Sequence, residues 1–185
     1  MSLLNYNLLR NIYKYSQIED LIMLLEEFDL FHLLLAGNSE RTNAVKKRVP
    51  NLPVDFLKWL DVCSGGMFFD TTLLTTKAYD DELKLSFGTY SFYFNQEVKK
   101  ELSLSNDWFV FAVAIHSDVY FFDIKKKDGK VYQWDIDEFK VYDIWDTFDD
   151  WLAEQLQEAI DLIADGIFQP YNVKVEMIDD TCKNG

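Results

Sequence analysis

The carboxylates between Asp135 and Asp150 are the residues whose types and spacing could do chemistry. Asp135, Asp137 and Glu138 match part of a calcium loop, since hard cations take several oxygen ligands from alternating positions. The full spaced series, with its central glycine and terminal glutamate, is missing. Paired carboxylates could also serve glycoside hydrolysis, which needs one raised and one ordinary carboxyl pKa across a cleft. With 32 acidic residues in the chain, pairs arise by chance, and no spacing makes one pair special. His32 lies in a leucine-rich segment and His116 at a strand end. Neither has a Cys or acidic partner at ligand spacing, so a structural role is the better reading of each. Cys63 and Cys182, the only cysteines, make neither a disulfide framework nor a zinc site. Gly65-Gly66 lacks the third spaced glycine and the following helix of a phosphate loop, and reads instead as a helix stop. No catalytic constellation, metal site or cofactor is expected, and the chain reads as non-enzymatic.

What remains is recognition by charge. The net charge is −14, and residues 1–50 contribute none of it, with six acidic and six basic side chains. The rest of the chain holds 26 acidic residues against 12 lysines, and no arginine follows Arg48. Residues 135–165 carry eleven carboxylates and one lysine, Lys140. Nucleic-acid binding is not expected, because it needs a basic stripe to replace counterions along the phosphates. A basic protein partner is compatible with this field; the plainer alternative is that the charge keeps the protein soluble. Asp135, Asp137, Glu138, Asp143, Asp146, Asp149 and Asp150 are the candidate contacts, because carboxylate clusters speed association and select against wrong partners. Trp108, Phe109, Tyr120, Phe122, Tyr132 and Trp134 could line a binding face but are better read as sheet core.

Positioning these residues requires a sheet and a few helices. Residues 3–35 read as helical, with a capping-box pattern at Ser16-Gln17-Ile18-Glu19 that starts a second helix. Ser39 is the expected cap of a helix over 40–49, ended by Pro50. Pro53 suits the first position of the next helix, Asp55 meets its positive end, and Phe56, Leu57, Trp59 and Leu60 form one buried face. Met67, Phe68 and Phe69 follow as a short buried strand, and 71–76 as extended chain. Residues 78–84 read as a polar loop. Residues 90–94 alternate aromatics with other types and read as a strand or an apolar connector, after which Asn95 caps a short helix. The apolar run at 108–115 predicts a central strand covered on both faces. Residues 119–124 and 131–134 flank a lysine run ending in Asp128-Gly129, a hairpin signal. Alternation puts Tyr132 and Trp134 on one side of their strand. A further strand is expected at 139–142. The segment from Asp146 to Leu152 opens a helix whose apolar stripe runs on to Ile163, and Gly166 ends it. An edge strand at 173–178 completes the reading.

Helices, then strands, then one helix is the α+β pattern. The expected fold is a mainly antiparallel sheet of five or six strands, with N-terminal helices and a C-terminal helix packed on it. One domain over 1–185 is expected, with a core of about 16–165 and additions at 1–15 and 166–185. No secretory signal and no apolar run of membrane-spanning length is read, so the expected location is the cytoplasm. The sequence leaves the oligomeric state open.

Three stretches together resemble the SUKH superfamily, which includes fungal cell-wall glucan-synthesis regulators and many bacterial immunity proteins. The strongest is Leu52-Pro53-x-Asp55-Phe56-x-x-Trp59-Leu60-x-x-x-Ser64-Gly65-Gly66. The second is Asp107-Trp108-Phe109, leading into Tyr120-Phe121-Phe122-Asp123 and then Gly129-Lys130-Val131-Tyr132-Gln133-Trp134. The third is Asp146-Thr147-Phe148-Asp149-Asp150-Trp151-Leu152. The turn His116-Ser117-Asp118 lacks the glycine that relatives often carry, and the helix before Pro50 has Ala44 and Val45 where an acidic residue is usual. The resemblance implies a binding protein: an immunity protein that neutralises a cognate toxin, with a basic nuclease as one candidate, by direct contact. A regulatory or scaffolding module like the fungal branch, or an acidic nucleic-acid mimic, are the alternatives. It also implies structural roles for Leu52, Pro53, Phe56, Trp59, Leu60, Gly65, Gly66, Trp108, Phe148 and Leu152.

Overall fold

A computed structural model describes residues 36–68, 71–76 and 91–165 of the chain. The expected helices over 3–35, the loop at 78–84, the helix stop at Gly166 and the edge strand at 173–178 lie outside these residues.

The order of elements is α1 (Ser39–Arg48), α2 (Val54–Val62), β1 (Gly66–Phe68), β2 (Thr71–Leu73), a composite helix α3, β3 (Trp108–Ala114), β4 (Val119–Asp123), β5 (Val131–Asp135), β6 (Lys140–Trp145) and α4 (Phe148–Ala164). The strands form one six-stranded sheet in the order β1 to β6, each antiparallel to the next. This is the expected α+β architecture. The elements also show where local sequence is overridden. Asn38, not Ser39, caps α1, its side chain accepting the Arg41 N–H at 3.0 Å. Pro53 stands at the cap of α2 rather than inside it, with extended ψ of 146°. The Asp128-Gly129 hairpin forms with a long connection, its lysine run drawn in by Asp123, which accepts the N–H groups of Lys125 and Lys126 at 3.1 Å.

Residues 91–94 are helical, not strand or connector. α3 consists of Ser91–Tyr93, a π-helical stretch Phe94–Val98, and Lys99–Glu101. Asn95 does not cap it but lies inside the π stretch. Its amide donates to the carbonyls of Ser91 (2.9 Å) and Val110 (2.7 Å), and its Oδ1 accepts the Val110 N–H at 2.8 Å. Asn95 therefore satisfies both backbone groups of a central-strand residue, and the widened helical turn permits it. Lys99, almost fully buried, donates to the carbonyls of Trp108 (2.6 Å) and Asn106 (3.3 Å), and burial lowers its pKa against the pull of Asp107.

The sheet has two apolar faces, as expected for the run at 108–115. One packs under α1, α2 and α4, with Phe56 at its centre: its ring lies 5.4 Å from Phe111, 5.0 Å from Phe122 and 5.1 Å from Phe148. Trp151 meets Phe111 edge-on at 4.9 Å. Truncating a ring so placed costs about 3–5 kcal/mol. The other face carries Val110, Val119, Phe121 and Tyr132, covered in part by Phe94 and Leu104. Among the described residues no helix is long and apolar enough to cross a membrane.

Candidate interaction surface

The stretch 52–66 builds the joint on which the sheet is hung. Leu52, Phe56, Trp59 and Leu60 are buried. Asp55 ties the starts of two helices together: one carboxylate oxygen accepts the Phe56 N–H and the other the Phe148 N–H, both at 2.9 Å. Two helix N-termini thereby share one negative charge, which their dipoles favour. After Cys63 the chain passes through Gly65 at φ +109° and Gly66 at φ +138°. A Cβ on Gly65 would stand 2.7 Å from the Thr75 Cα, so only glycine lets β1 approach the end of β2. Cys63 is wholly buried, and burial pushes its thiol up to about 12, which leaves it unreactive.

Six of the seven candidate carboxylates fall into two groups at opposite ends of β6, Asp135, Asp137 and Glu138 at one and Asp146, Asp149 and Asp150 at the other, separated by roughly 20 Å of strand, and Asp143 belongs to the strand itself. Asp135, Asp137 and Glu138 cluster at the β5–β6 turn. Asp135 Oδ1 shapes that turn by accepting the N–H groups of Asp137 (2.8 Å) and Glu138 (2.7 Å). Glu138 accepts the phenol proton of Tyr142, which pushes the Tyr142 pKa up to about 12. Asp143 is the extra residue of β6 where the β5–β6 register shifts, between Ile144 opposite Tyr132 and Tyr142 opposite Gln133.

At the other end, Asp146 pairs with Lys130 at 2.5 Å, and that ammonium lowers its pKa. Thr147 caps α4 by accepting the Asp150 N–H at 3.0 Å and donates to the Asp150 carboxylate at 2.7 Å. Asp149 is half-buried, and burial, with Asp55 beside it, raises its pKa. Asp150 is thus engaged at the start of α4 and Asp146 with Lys130, while the buried Asp149 Oδ1 has no hydrogen-bond partner among the described residues and Asp137 and Glu138 stand in solvent.

A feature absent from the charge pattern lies beside the first group. Trp108 stacks on Phe121 at 4.0 Å, Phe121 on Tyr132 at 5.3 Å, and Trp134 meets Trp108 at 5.3 Å and Phe139 at 6.4 Å. Tyr132 and Trp134 do share a side, as alternation requires, and it is the side away from α2 and α4. Phe139, Val141 and Ile144 are exposed around it. Phe139, expected in a strand over 139–142, is a turn residue; an aromatic directly after Asp135-Ile136-Asp137-Glu138 is the available signal. Among the described residues no group of three or more His, Cys, Asp or Glu side chains is placed to hold a metal ion.

Searches among curated proteins and among solved structures returned no match. The family model for the SMI1 / KNR4 family (SUKH-1) matches residues 39–154, from the first residue of α1 into α4. That span takes in the Asp55 joint, the double glycine, the whole six-stranded sheet and the capped start of α4. With more than half of its length matched and each of these features inside the match, the chain belongs to the SMI1 / KNR4 family (SUKH-1).

Proposed function

We propose that this protein is a non-enzymatic immunity protein of the cytoplasm that neutralises a cognate toxin by direct binding. Family membership over residues 39–154 is the observation that carries the reading, since an immunity or regulatory role fits this family. The acidic field supports a basic partner: Asp135, Asp137, Glu138, Asp143, Asp146, Asp149 and Asp150 stand against Lys140 alone in that stretch. The single domain proposed over 1–185 acts as one binding unit. A nucleic-acid mimic would need a continuous row of carboxylates, and the separation of Asp135, Asp137 and Glu138 from Asp146, Asp149 and Asp150 by the length of β6 favours a protein partner instead. Regulatory scaffolding is the second reading, favoured by the same family match.

Co-expression tests it. Cells producing the protein encoded beside this one should survive only when this chain is present, and the two should co-purify. The complex should weaken as salt rises. A folded chain that neither binds nor protects refutes the immunity reading; binding without protection supports the regulatory one.

A further inference from the structure

The immunity reading leaves open where the module makes contact, and Phe139 provides the starting observation. It closes the β5–β6 turn at φ +54°, a region that penalises bulky side chains and that turns of this kind fill with glycine or asparagine. The residue is 72% exposed. A large aromatic therefore stands in solvent at a backbone position that disfavours it, and strain held outside the core points to function.

Its neighbours share this character. Trp134 pairs with Val141 and Tyr132 with Ile144, so Val141 and Ile144, 36% and 55% exposed, lie on the same face of the sheet as Trp134. Val119 pairs with Trp134, which brings the β3–β4 turn, with Ile115 exposed, to the same end of the sheet as Phe139. Exposed apolar residues scattered singly need no explanation, but Val141 and Ile144 share one face of β6, and Phe139 directly precedes that strand and packs on Trp134. Asp135, Asp137 and Glu138 rim the row. The ammonium of Lys140, in β6, lies over the Tyr142 ring at 4.5 Å.

Resting on the reading of this chain as a protein-binding module, we propose that the outer face of β5–β6, centred on Trp134, Phe139, Val141 and Ile144, is where a positively charged protein partner docks. The partner seats apolar side chains on this row, and its lysines and arginines meet the carboxylates at the rim. An apolar centre within a charged rim is the usual division of labour at an interface, with aromatic anchors holding and charges steering. A second copy of this chain is disfavoured as occupant, because a two-fold contact sets the same carboxylates against themselves at a net charge of −14 per copy.

The test uses the full chain and three synthetic peptides, followed by backbone amide NMR. One peptide alternates lysine and leucine, one lysine and serine, one glutamate and leucine. The lysine–leucine peptide should move β5–β6 resonances, and the other two should bind at least about tenfold more weakly. Phe139→Gly and Ile144→Ser should each weaken binding by about tenfold. Phe139→Gly should also unfold at the same or a higher temperature, which a purely structural Phe139 would not allow. Equal binding by the lysine–serine peptide, shifts confined to other elements, or unchanged binding by both variants overturns the proposal. A wild-type dimer by sedimentation that Phe139→Gly dissociates overturns the choice of occupant. If wild type protects cells from the neighbouring protein and both variants protect equally, this surface is wrong and the immunity reading stands. If wild type does not protect while the peptide results hold, the reverse is true.

Discussion

Removing the Asp55 carboxylate should loosen the whole joint between helices and sheet. Its bond to the Phe148 N–H matters most, because Phe148 is fully buried and that amide has no water to turn to. A hydrogen bond to a charged group in such a place contributes about 1.5–3 kcal/mol. The bond to Phe56 N–H, from the neighbouring residue within the first turn of α2, adds about 0.5 kcal/mol, at the low end for a helix cap. Relief of Asp149, whose proton affinity Asp55 raises, returns a comparable small amount. The net loss for Asp55→Ala is about 2 kcal/mol, which lowers Tm by roughly 4–8 °C in a chain of this size. Asp55→Asn keeps one acceptor oxygen and should fall between. Urea unfolding followed by circular dichroism measures this through the midpoint at constant slope. An Asp55→Ala midpoint within about 0.5 kcal/mol of wild type would refute the idea that one carboxylate couples the two helix starts.

Three further outcomes follow from other parts of the molecule. Gly65→Ala should cost about 3 kcal/mol or more, from φ +109° plus a Cβ 2.7 Å from Thr75 Cα, whereas Gly129→Ala, at φ +75° with nothing within 4 Å, should cost about 1 kcal/mol; equal losses in thermal melts would contradict this. Asp149 has a raised folded pKa, so its contribution to stability is present below the unfolded carboxylate range and is lost as pH rises through the raised value. Asp149→Asn should accordingly stabilise the protein at neutral pH and remove that part of the pH dependence; a neutral-pH loss of stability would count against it. Tyr142 should titrate near 12 by carbon NMR and at lower pH in Glu138→Gln, and an unmoved titration would show that Glu138 does not hold the phenol proton.

The elements that sequence made legible are those whose own periodicity matches their setting. Phe56, Trp59 and Leu60 repeat at helical spacing and bury one face of α2, and the unbroken apolar run of β3 is covered on both sides. Tyr90, Phe92 and Phe94 alternate at strand period, yet residues 91–94 are helical. That helix is fixed from outside by the Asn95 amide on Val110, a contact across 15 positions that no local pattern encodes. The acidic cluster was legible as a count but not as a surface. Strand β6 separates Asp135, Asp137 and Glu138 from Asp146, Asp149 and Asp150, and a turn, an ion pair with Lys130 and a helix cap engage Asp135, Asp146 and Asp150 in turn. Phe139 was legible as an apolar residue and not as a strained one, since positive φ is set by the register of the turn.

Binding between the purified full chain and the protein encoded beside it, measured by calorimetry at low and high salt, tests the central claim most directly. A one-to-one complex is expected that weakens with salt and weakens again, without loss of fold, in Phe139→Gly. A folded chain that forms no complex at either salt would contradict it.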